Sequence, residues 1–262
     1  MSSTADARPQ IVPDPDSDAA LATRLAVEAG QLLVKVRDDL ERQGAYPWQI
    51  MDTGDITSHQ FLLGEFAAAR PDDVVLSEEG DDDRRRYTAE RVWIVDPLDG
   101  TNEYGEPGRS DWAVHIALWE RGDLVAAAVS LPMLGLVFAT EPAPLLPPIE
   151  RARPRLVTSR TRNPYSAVVV ANALGADAVR LGSAGAKAMA VVIGEADIYV
   201  HDGGMYQWDS AAPAAVAAAA GLHVSRIDGS PMVYNRRDTW LPDFLVCRQE
   251  YAADVLAALR RG

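Results

Sequence analysis

The chain has 262 residues, 48% of them hydrophobic, with 38 acidic and 25 basic side chains and a formal net charge of -13. That is enough apolar side chain for one large core or two joined ones, and so acidic a balance argues against binding to nucleic acid backbone or an anionic membrane, which need a basic surface. No apolar run reaches the roughly eighteen residues of a membrane span, the opening residues lack the basic and apolar regions of a secretion signal, and the lone Cys247 leaves no disulfide within the chain; a cytoplasmic globular protein is expected.

Residues 1 to 17, rich in Pro, Asp, Ser and Ala, are expected to form a mobile tail. From Ser17 or Asp18, the residues Leu21, Leu25, Ala29, Leu32, Leu33, Val36 and Leu40 recur at helical spacing and predict a long amphipathic helix. A second stripe, Phe61, Leu62, Phe66 and Ala69, follows Asp55 or Thr57 as N-cap and stops before Pro71. Asp73 to Ser77 reads as a short strand that delivers Glu78, Glu79 and Gly80. The mixed-charge run Asp81 to Arg86 reads as a solvated loop.

Val92 to Val95 reads as a buried strand that breaks into Asp96-Pro97-Leu98-Asp99-Gly100-Thr101. Pro97 suits the second position of a β-turn, which brings the first and fourth residues within about 7 Å. Asp96 and Asp99 would then repel each other unless a cation sat between them, and hard oxygen ligands select Mg²⁺ or Mn²⁺ over zinc. An Asp-Pro turn taken alone is more often an ordinary loop than a metal site. Gly100 permits a sharp turn, and the Thr101 hydroxyl with the N–H groups after it can face an anion.

Trp112 to Trp119, Leu124 to Leu131 and Met133 to Thr140 predict three antiparallel strands. The proline-rich segment from Glu141 marks a boundary, so the expected organisation is an α+β half over 18–140, a connection over 141–153 and an α/β half over 154–262. In the second half, predicted strands at Leu156–Ser159, Ala167–Val170, Val179–Leu181, Ile198–Val200 and Phe244–Val246 alternate with helices, the last from Glu250 to Leu259. Gly182-Ser183-Ala184-Gly185-Ala186-Lys187 leads into a helix over Ala188–Ile193. It either offers N–H groups to an anion or merely allows close packing. Lys187 is one of only two lysines, with Lys35. Asp209 stands at or next to the start of an alanine-rich helix, where a cap is its default role, with Pro213 near the first turn. His59, His115, His201 and His223 show no paired ligand spacing and are expected to be satisfied or solvated; His115 points to one face of its strand and needs no catalytic role. Cys247 reads as a buried thiol.

Taken together, Ser77-Glu78-Glu79, then Asp96-Pro97-Leu98-Asp99-Gly100-Thr101, then Trp208-Asp209-Ser210-Ala211-Ala212 resembles the three-part signature of the magnesium-dependent, lithium-sensitive inositol monophosphatase superfamily, over roughly residues 18 to 255. Asp96 to Tyr104, Gly182 to Lys187 and Asp228 to Tyr234 are similar to its CysQ branch, the 3′-phosphoadenosine 5′-phosphate phosphatases. The resemblance implies a layered α-β-α-β-α sandwich. It implies that Glu78, Asp96, the Leu98 carbonyl, Asp99 and Asp209 hold two or three Mg²⁺ ions, with Mn²⁺ as a substitute and Li⁺ as an inhibitor. Thr101, hydrogen-bonded to Asp55, would help activate the attacking water. Gly100, Thr101 and Asn102 would meet the scissile phosphate. Gly182, Ser183 and Ala184 match a substrate-contacting loop, Lys187 is placed for a second phosphate, and Asp202 and Asp209 match positions that contact substrate. The chain departs from the pattern at Asp52-Thr53-Gly54-Asp55, where the usual approach to the Asp is degraded. It also departs at Asn102, where many relatives carry Lys, and at Pro213, where many carry Gly.

The implied reaction is hydrolysis of the 3′-phosphate of adenosine 3′,5′-bisphosphate or of its sulfated parent, 3′-phosphoadenylyl sulfate, in sulfate assimilation. An inositol phosphate or fructose 1,6-bisphosphate is the alternative substrate, and a non-catalytic nucleotide-binding protein is the alternative of another class. The expected partner is the small phosphate ester itself, and the sequence leaves a homodimer open.

Overall fold

The computed structural model describes residues 14–261. The expected tail therefore lies largely outside the described residues. Ser17 accepts a hydrogen bond from the Ala20 N–H and caps α1 (Asp18–Arg42). Its apolar stripe, with Leu21, Leu25, Ala29 and Leu33, is buried. The second helix, α2, spans Pro47–Ala69, so it starts well before the N-cap expected at Asp55 or Thr57, and Asp55 sits in its interior. Pro47 suits the first turn. The buried positions are Ile50, Gly54, Ser58, Leu62 and Phe66, spaced four apart. Two of the five are not hydrophobic, which hid the first half of the stripe. Gly54 is needed there, because a Cβ would come within 2.5 Å of the Tyr104 ring.

A first sheet runs in the order β1 (Val74–Ser77), β2 (Arg91–Asp99), β3 (Ala113–Glu120), β4 (Asp123–Leu131) and β5 (Leu136–Ala139). Only the β1–β2 pair is parallel. Side chains alternate along β2 and divide its neighbours into two cores. Trp93 and Val95 pack with α1 and α2, whereas Val92 and Ile94 pack with α5 (Ala184–Val192) and α6 (Gln207–Ala219). A second sheet runs β7 (Asp177–Leu181), β6 (Arg155–Ser159), β8 (Ile198–Tyr206), β10 (Trp240–Cys247) and β9 (His223–Ser225). One face of it, with Val157, Tyr199 and Phe244, joins the α5–α6 core; the other, with Leu156, Val200 and Leu245, packs with α4 (Tyr165–Leu174) and α7 (Gln249–Leu259). The layers are thus helix, sheet, helix, sheet, helix. Alanines fill the central helix α6, and their small volume lets it lie between the two sheets.

Four further expectations are corrected. Residues 167–170 belong to helix α4, not to a strand, because Ala167, Val170, Ala171 and Leu174 pack at helical period, and Gly175 ends the helix in the left-handed conformation. Helix α5 begins at Ala184, capped by Ser183, so the glycine-rich segment is its first turn rather than a loop before it. Pro213 lies in the second turn of α6, not the first. The run Asp81 to Arg86 is not simply solvated, because Arg86 is fully buried within a 3₁₀ turn over Arg84–Tyr87.

That guanidinium ties together parts of the chain about 150 positions apart. It pairs with Asp82 and donates to Asn235 Oδ1 (3.1 Å) and to the carbonyls of Arg236 (2.8 Å) and Arg237 (3.1 Å). Removing it empties the buried space that the guanidinium fills and leaves those part-buried acceptors without a donor. Arg86→Ala is expected to cost about 3 kcal/mol, a fall of roughly 6–12 °C in melting temperature. A calorimetric shift below about 2 °C would contradict this reading of the contact.

Candidate active site

The sharp end of β2 is the starting point. β2 and β3 pair regularly until Asp96 faces His115, then the register shifts before Asp99 faces Ala113. Asp96 and Asp99 therefore meet through an irregularity within the strand, not through a β-turn beyond it. Asp96 Oδ1 accepts from the Leu98 N–H (3.1 Å), and Ser58 on α2 donates to the Pro97 carbonyl (2.7 Å), which pins the distortion. Asp209 completes the group from the third position of α6. Tyr206, not Asp209, occupies the cap position, and its N–H donates to Asp209 Oδ2 (2.6 Å). Asp96, Asp99 and Asp209 each present a ligand atom within 4.8 Å of the others.

These acids line a cavity of about 440 Å³ together with Glu78, Leu98, Gly100, Thr101 and Asn102. Glu78 follows β1 at the mouth and is exposed as a residue. Its carboxyl is nevertheless pushed up to about 8, by lost solvation first and then by repulsion from Asp209 and Asp99. Burial, reinforced by Glu78 and Asp99, holds Asp96 well above the usual carboxylate range. Burial and then Asp99 push Asp209 up to about 6. Asp99 goes the other way. Burial opposes its ionisation, but attraction to His115 and Lys187 and the Ser183 hydroxyl outweigh it.

The donor set fits a hard divalent cation. Asp96 Oδ2 is buried without a hydrogen-bond partner among the described residues, an arrangement that costs free energy unless a positive charge answers it.

Thr101 opens the short helix α3 (Thr101–Gly105), after Gly100 has turned the chain at φ 91°. Its hydroxyl reaches Asp55 Oδ1 at 3.4 Å and the Leu98 carbonyl at 3.2 Å, and one proton can serve only one of them at a time. Asp55 itself is pushed up to about 7 by burial and then by Glu79.

The glycine-rich segment resolves differently from either expectation alone. Its backbone donors are spent inside the protein. The Gly182 N–H donates to Asp111 Oδ2 (2.6 Å) and that of Ser183 to the Asp111 carbonyl (3.2 Å). Ala184 (3.2 Å) and Gly185 (2.6 Å) donate to Asp99, as does the Ser183 hydroxyl. Gly185 leaves no room for a Cβ, which would overlap the buried His115 ring, and a Cβ at Gly182 would displace the Glu103 carboxylate. Lys187 is buried, with its ammonium donating to the carbonyls of Gly182 and Ser183 and its pKa pushed down to about 8 by burial. Asp202 is not part of the cavity lining; its carboxylate accepts from the Ser166 N–H at the start of α4 (2.7 Å).

The sequence reading missed His115 as a neighbour of the acids. Its Nε2 lies 3.2 Å from Asp99 Oδ2 and its Nδ1 3.2 Å from the Trp208 carbonyl, so both nitrogens face acceptors. What sets it beside the acids is its position opposite Asp96 in the antiparallel pair, which its own strand does not signal. Glu103 and Arg162, which also line the cavity, were missed too.

The chain matches the inositol monophosphatase family over residues 14–144 and 148–261. It belongs to that family. The inositol monophosphatase family is metal-dependent, and the acidic cluster described above is a place where such an ion can bind. Among relatives, a Mycobacterium leprae protein named 3′-phosphoadenosine 5′-phosphate phosphatase is 45% identical over 256 residues, covering 93% of this chain and 94% of its own. The Escherichia coli K12 protein named 3′(2′),5′-bisphosphate nucleotidase CysQ is 30% identical over 245 residues, covering 85% and 96%. CysQ from Bacteroides thetaiotaomicron, a solved inositol monophosphatase family structure, superposes with a TM-score of 0.73 at 24% identity, covering 89% of this chain and 98% of its own. At that identity the superposition speaks for the fold alone, and it is the layered fold described above. No helix among the described residues is long and apolar enough to cross a membrane.

Proposed function

We propose that this chain is a phosphomonoesterase that removes the 3′-phosphate of adenosine 3′,5′-bisphosphate, and of 3′-phosphoadenylyl sulfate, leaving the 5′ group in place. The carrying observation is that three carboxylates and the Thr101–Asp55 pair line or adjoin one cavity, in a chain whose relatives bear that enzymatic name. Glu78, Asp96, the Leu98 carbonyl, Asp99 and Asp209 would hold the ions, two or three Mg²⁺ with Mn²⁺ able to replace them and Li⁺ inhibitory. Bound there, the ions would neutralise phosphate charge and make the attacking water and the departing alkoxide easier to form.

The chain's own residues do the rest. Gly100, Thr101 and Asn102, at the start of α3, face the scissile phosphate. Thr101 orients the water and passes its proton toward Asp55 as the water oxygen bonds to phosphorus. The phosphorus–oxygen bond to the 3′ carbon's oxygen breaks in line, that oxygen takes a proton from solvent while Asp55 returns its own to solvent, and a free 3′-hydroxyl and inorganic phosphate result. No side chain is phosphorylated on the way. Ser183 and Ala184 shape the wall by holding Asp99 and Gly182 by holding Asp111, and Asp202 acts on the substrate side only through the position of α4. The two halves, 18–140 and 154–262, joined by 141–153, each supply part of the site. We place the enzyme in the cytoplasm, with a small phosphate ester as its partner, no nucleic acid or membrane, and a homodimer as the assembly to be tested by sedimentation.

A phosphate-release panel with Mg²⁺, with and without Li⁺, tests the reading. Adenosine 3′,5′-bisphosphate should be the best substrate, and a preference for inositol 1-phosphate or fructose 1,6-bisphosphate would overturn it. The second phosphate needs a cation. Lys187 has one N–H beyond the two given to carbonyls, whereas the Arg162 guanidinium, at the cavity wall, makes no side-chain hydrogen bond or ion pair among the described residues. Arg162→Ala should raise KM for the bisphosphate about ten-fold relative to adenosine 3′-monophosphate, the worth of one charge-assisted contact. Equal effects on both esters would remove Arg162 from that role.

A further inference from the structure

The cavity is lined mostly by acids, hydroxyls and glycines, yet two large aromatic rings also line it while remaining open to solvent. Tyr206 is 46% exposed and Trp240 48%. Scattered exposed aromatics are ordinary on a protein surface. These two are not scattered. They are direct cross-strand partners at the ends of β8 and β10, so their side chains share a face of the sheet. The Tyr206 ring also lies nearly parallel to that of Trp208, at 4.9 Å between centroids and 13° between planes.

Their positions are held by the backbone. Gly204 adopts φ +91°, and a Cβ there would come within 2.5 Å of Trp240 Nε1, so the strand is bare where the indole lies against it. The segment leading into Trp240 is fastened from two sides. Gln207 is fully buried; its side chain donates to the carbonyls of Arg236 (3.2 Å) and Asp238 (3.0 Å), and its N–H donates to the Thr239 carbonyl (2.9 Å). Arg86 holds Asn235, Arg236 and Arg237 from the other half of the chain. An exposed indole on so constrained a support loses little conformational freedom when a ligand lies on it.

We propose that Trp240, with Tyr206 beside it, is the base-reading face of this cavity, stacking the purine ring of a nucleoside phosphate whose ester lies at the acids. The inference rests on the phosphomonoesterase reading and names the part of the substrate that sets its preference. Flat aromatic rings accept any base through its π face. Recognition is therefore of the flat base and not of its edge groups, and adenosine and guanosine 3′,5′-bisphosphates should be turned over with similar efficiency.

The test compares wild type, Trp240→Ala and Trp240→Phe on adenosine 3′,5′-bisphosphate and on inositol 1-phosphate, with Mg²⁺. In Trp240→Ala the ratio of kcat/KM for the nucleotide to that for the base-free ester should fall about ten-fold or more, through KM rather than kcat, and Trp240→Phe should restore most of it. A fall shared equally by both esters would mean that the indole only packs on Gly204, and would overturn the proposal. Binding of adenosine 5′-monophosphate, followed by calorimetry in the presence of Mg²⁺, separates the two readings. If wild type prefers inositol 1-phosphate, the substrate assignment fails. The aromatic face stands in that case only if the nucleotide still binds wild type and binds Trp240→Ala about ten-fold more weakly.

Discussion

Asp96→Asn should lower turnover by at least about 10³-fold, the loss that follows when a charge acting at the transition state is removed. The same change should leave the metal-free protein as stable as wild type or more so. Asp96 is fully buried and its Oδ2 has no hydrogen-bond partner among the described residues, so in the absence of a cation its charge is a cost and not a support. Melting temperatures in EDTA and in excess Mg²⁺ give the check. Wild type should gain strongly on adding Mg²⁺, because an ion that binds only the folded chain stabilises it, and Asp96→Asn should gain little. An active Asp96→Asn enzyme, or one with an undiminished Mg²⁺ increment, would sink the ligand assignment. Asp99→Asn is the harsher variant, since Asp99 also receives the N–H groups of Ala184 and Gly185, and its loss should disturb α5 as well as the metal.

The same cluster fixes the sign of a pH effect. Glu78, at about 8, and Asp209, at about 6, have folded pKa values raised above the unfolded carboxylate range, as does Asp96. Groups raised in this way favour the folded chain fully below about pH 4 and lose that contribution as pH rises through their folded values. In EDTA the melting temperature should therefore fall between about pH 5 and pH 8, against the constant contribution of the depressed Asp99. Mg²⁺ should abolish most of the fall.

Thr101→Ala is the second large loss expected, about 10²–10⁴-fold in kcat with a small change in KM, the usual range for removing a positioned proton acceptor. Thr101→Ser should keep most of the activity because it keeps the hydroxyl. Thr101 and Asp55 act as one unit in this account, so Thr101→Ala combined with Asp55→Asn should be little worse than either alone. Burial, with Glu79 adding to it, raises Asp55 to about 7, and a base must be ionised to work. Activity should thus climb with pH up to about 7, and bound cations would draw this limb lower. Asp55→Asn should remove the limb. Additive single losses, or an unchanged pH profile in Asp55→Asn, would contradict the coupled role.

Many individual elements were legible in their apolar patterns, whereas the layered arrangement came only through the family resemblance. Val92 to Val95 divide between two cores one residue at a time, and α1 carries an unbroken apolar stripe. The acidic words were legible because they combine residue types that are costly to bury together. What escaped detection shares one physical cause, the use of small or polar side chains at buried positions. Gly54 and Ser58 concealed the first turns of α2, and Ala167 with Val170 looked like a strand when read without Ala171 and Leu174. His115 was passed over because its significance lies in what stands across the ladder, and pairing is not written in any one strand. The N–H groups of residues 182–187 read equally as free for an anion or as part of a close-packed turn, and only three-dimensional placement could reveal that Asp111 and Asp99 had already taken four of them.

The buried guanidinium of Arg86 binds carbonyls about 150 positions further along the chain, beneath the approach to Trp240. Transplanting the 235–240 segment into a homologue would therefore carry the indole without its anchor. A chimera meant to exchange substrate preference has to move Asp82 through Tyr87 together with that segment, and two short grafts from opposite halves of the gene behave as one unit of inheritance.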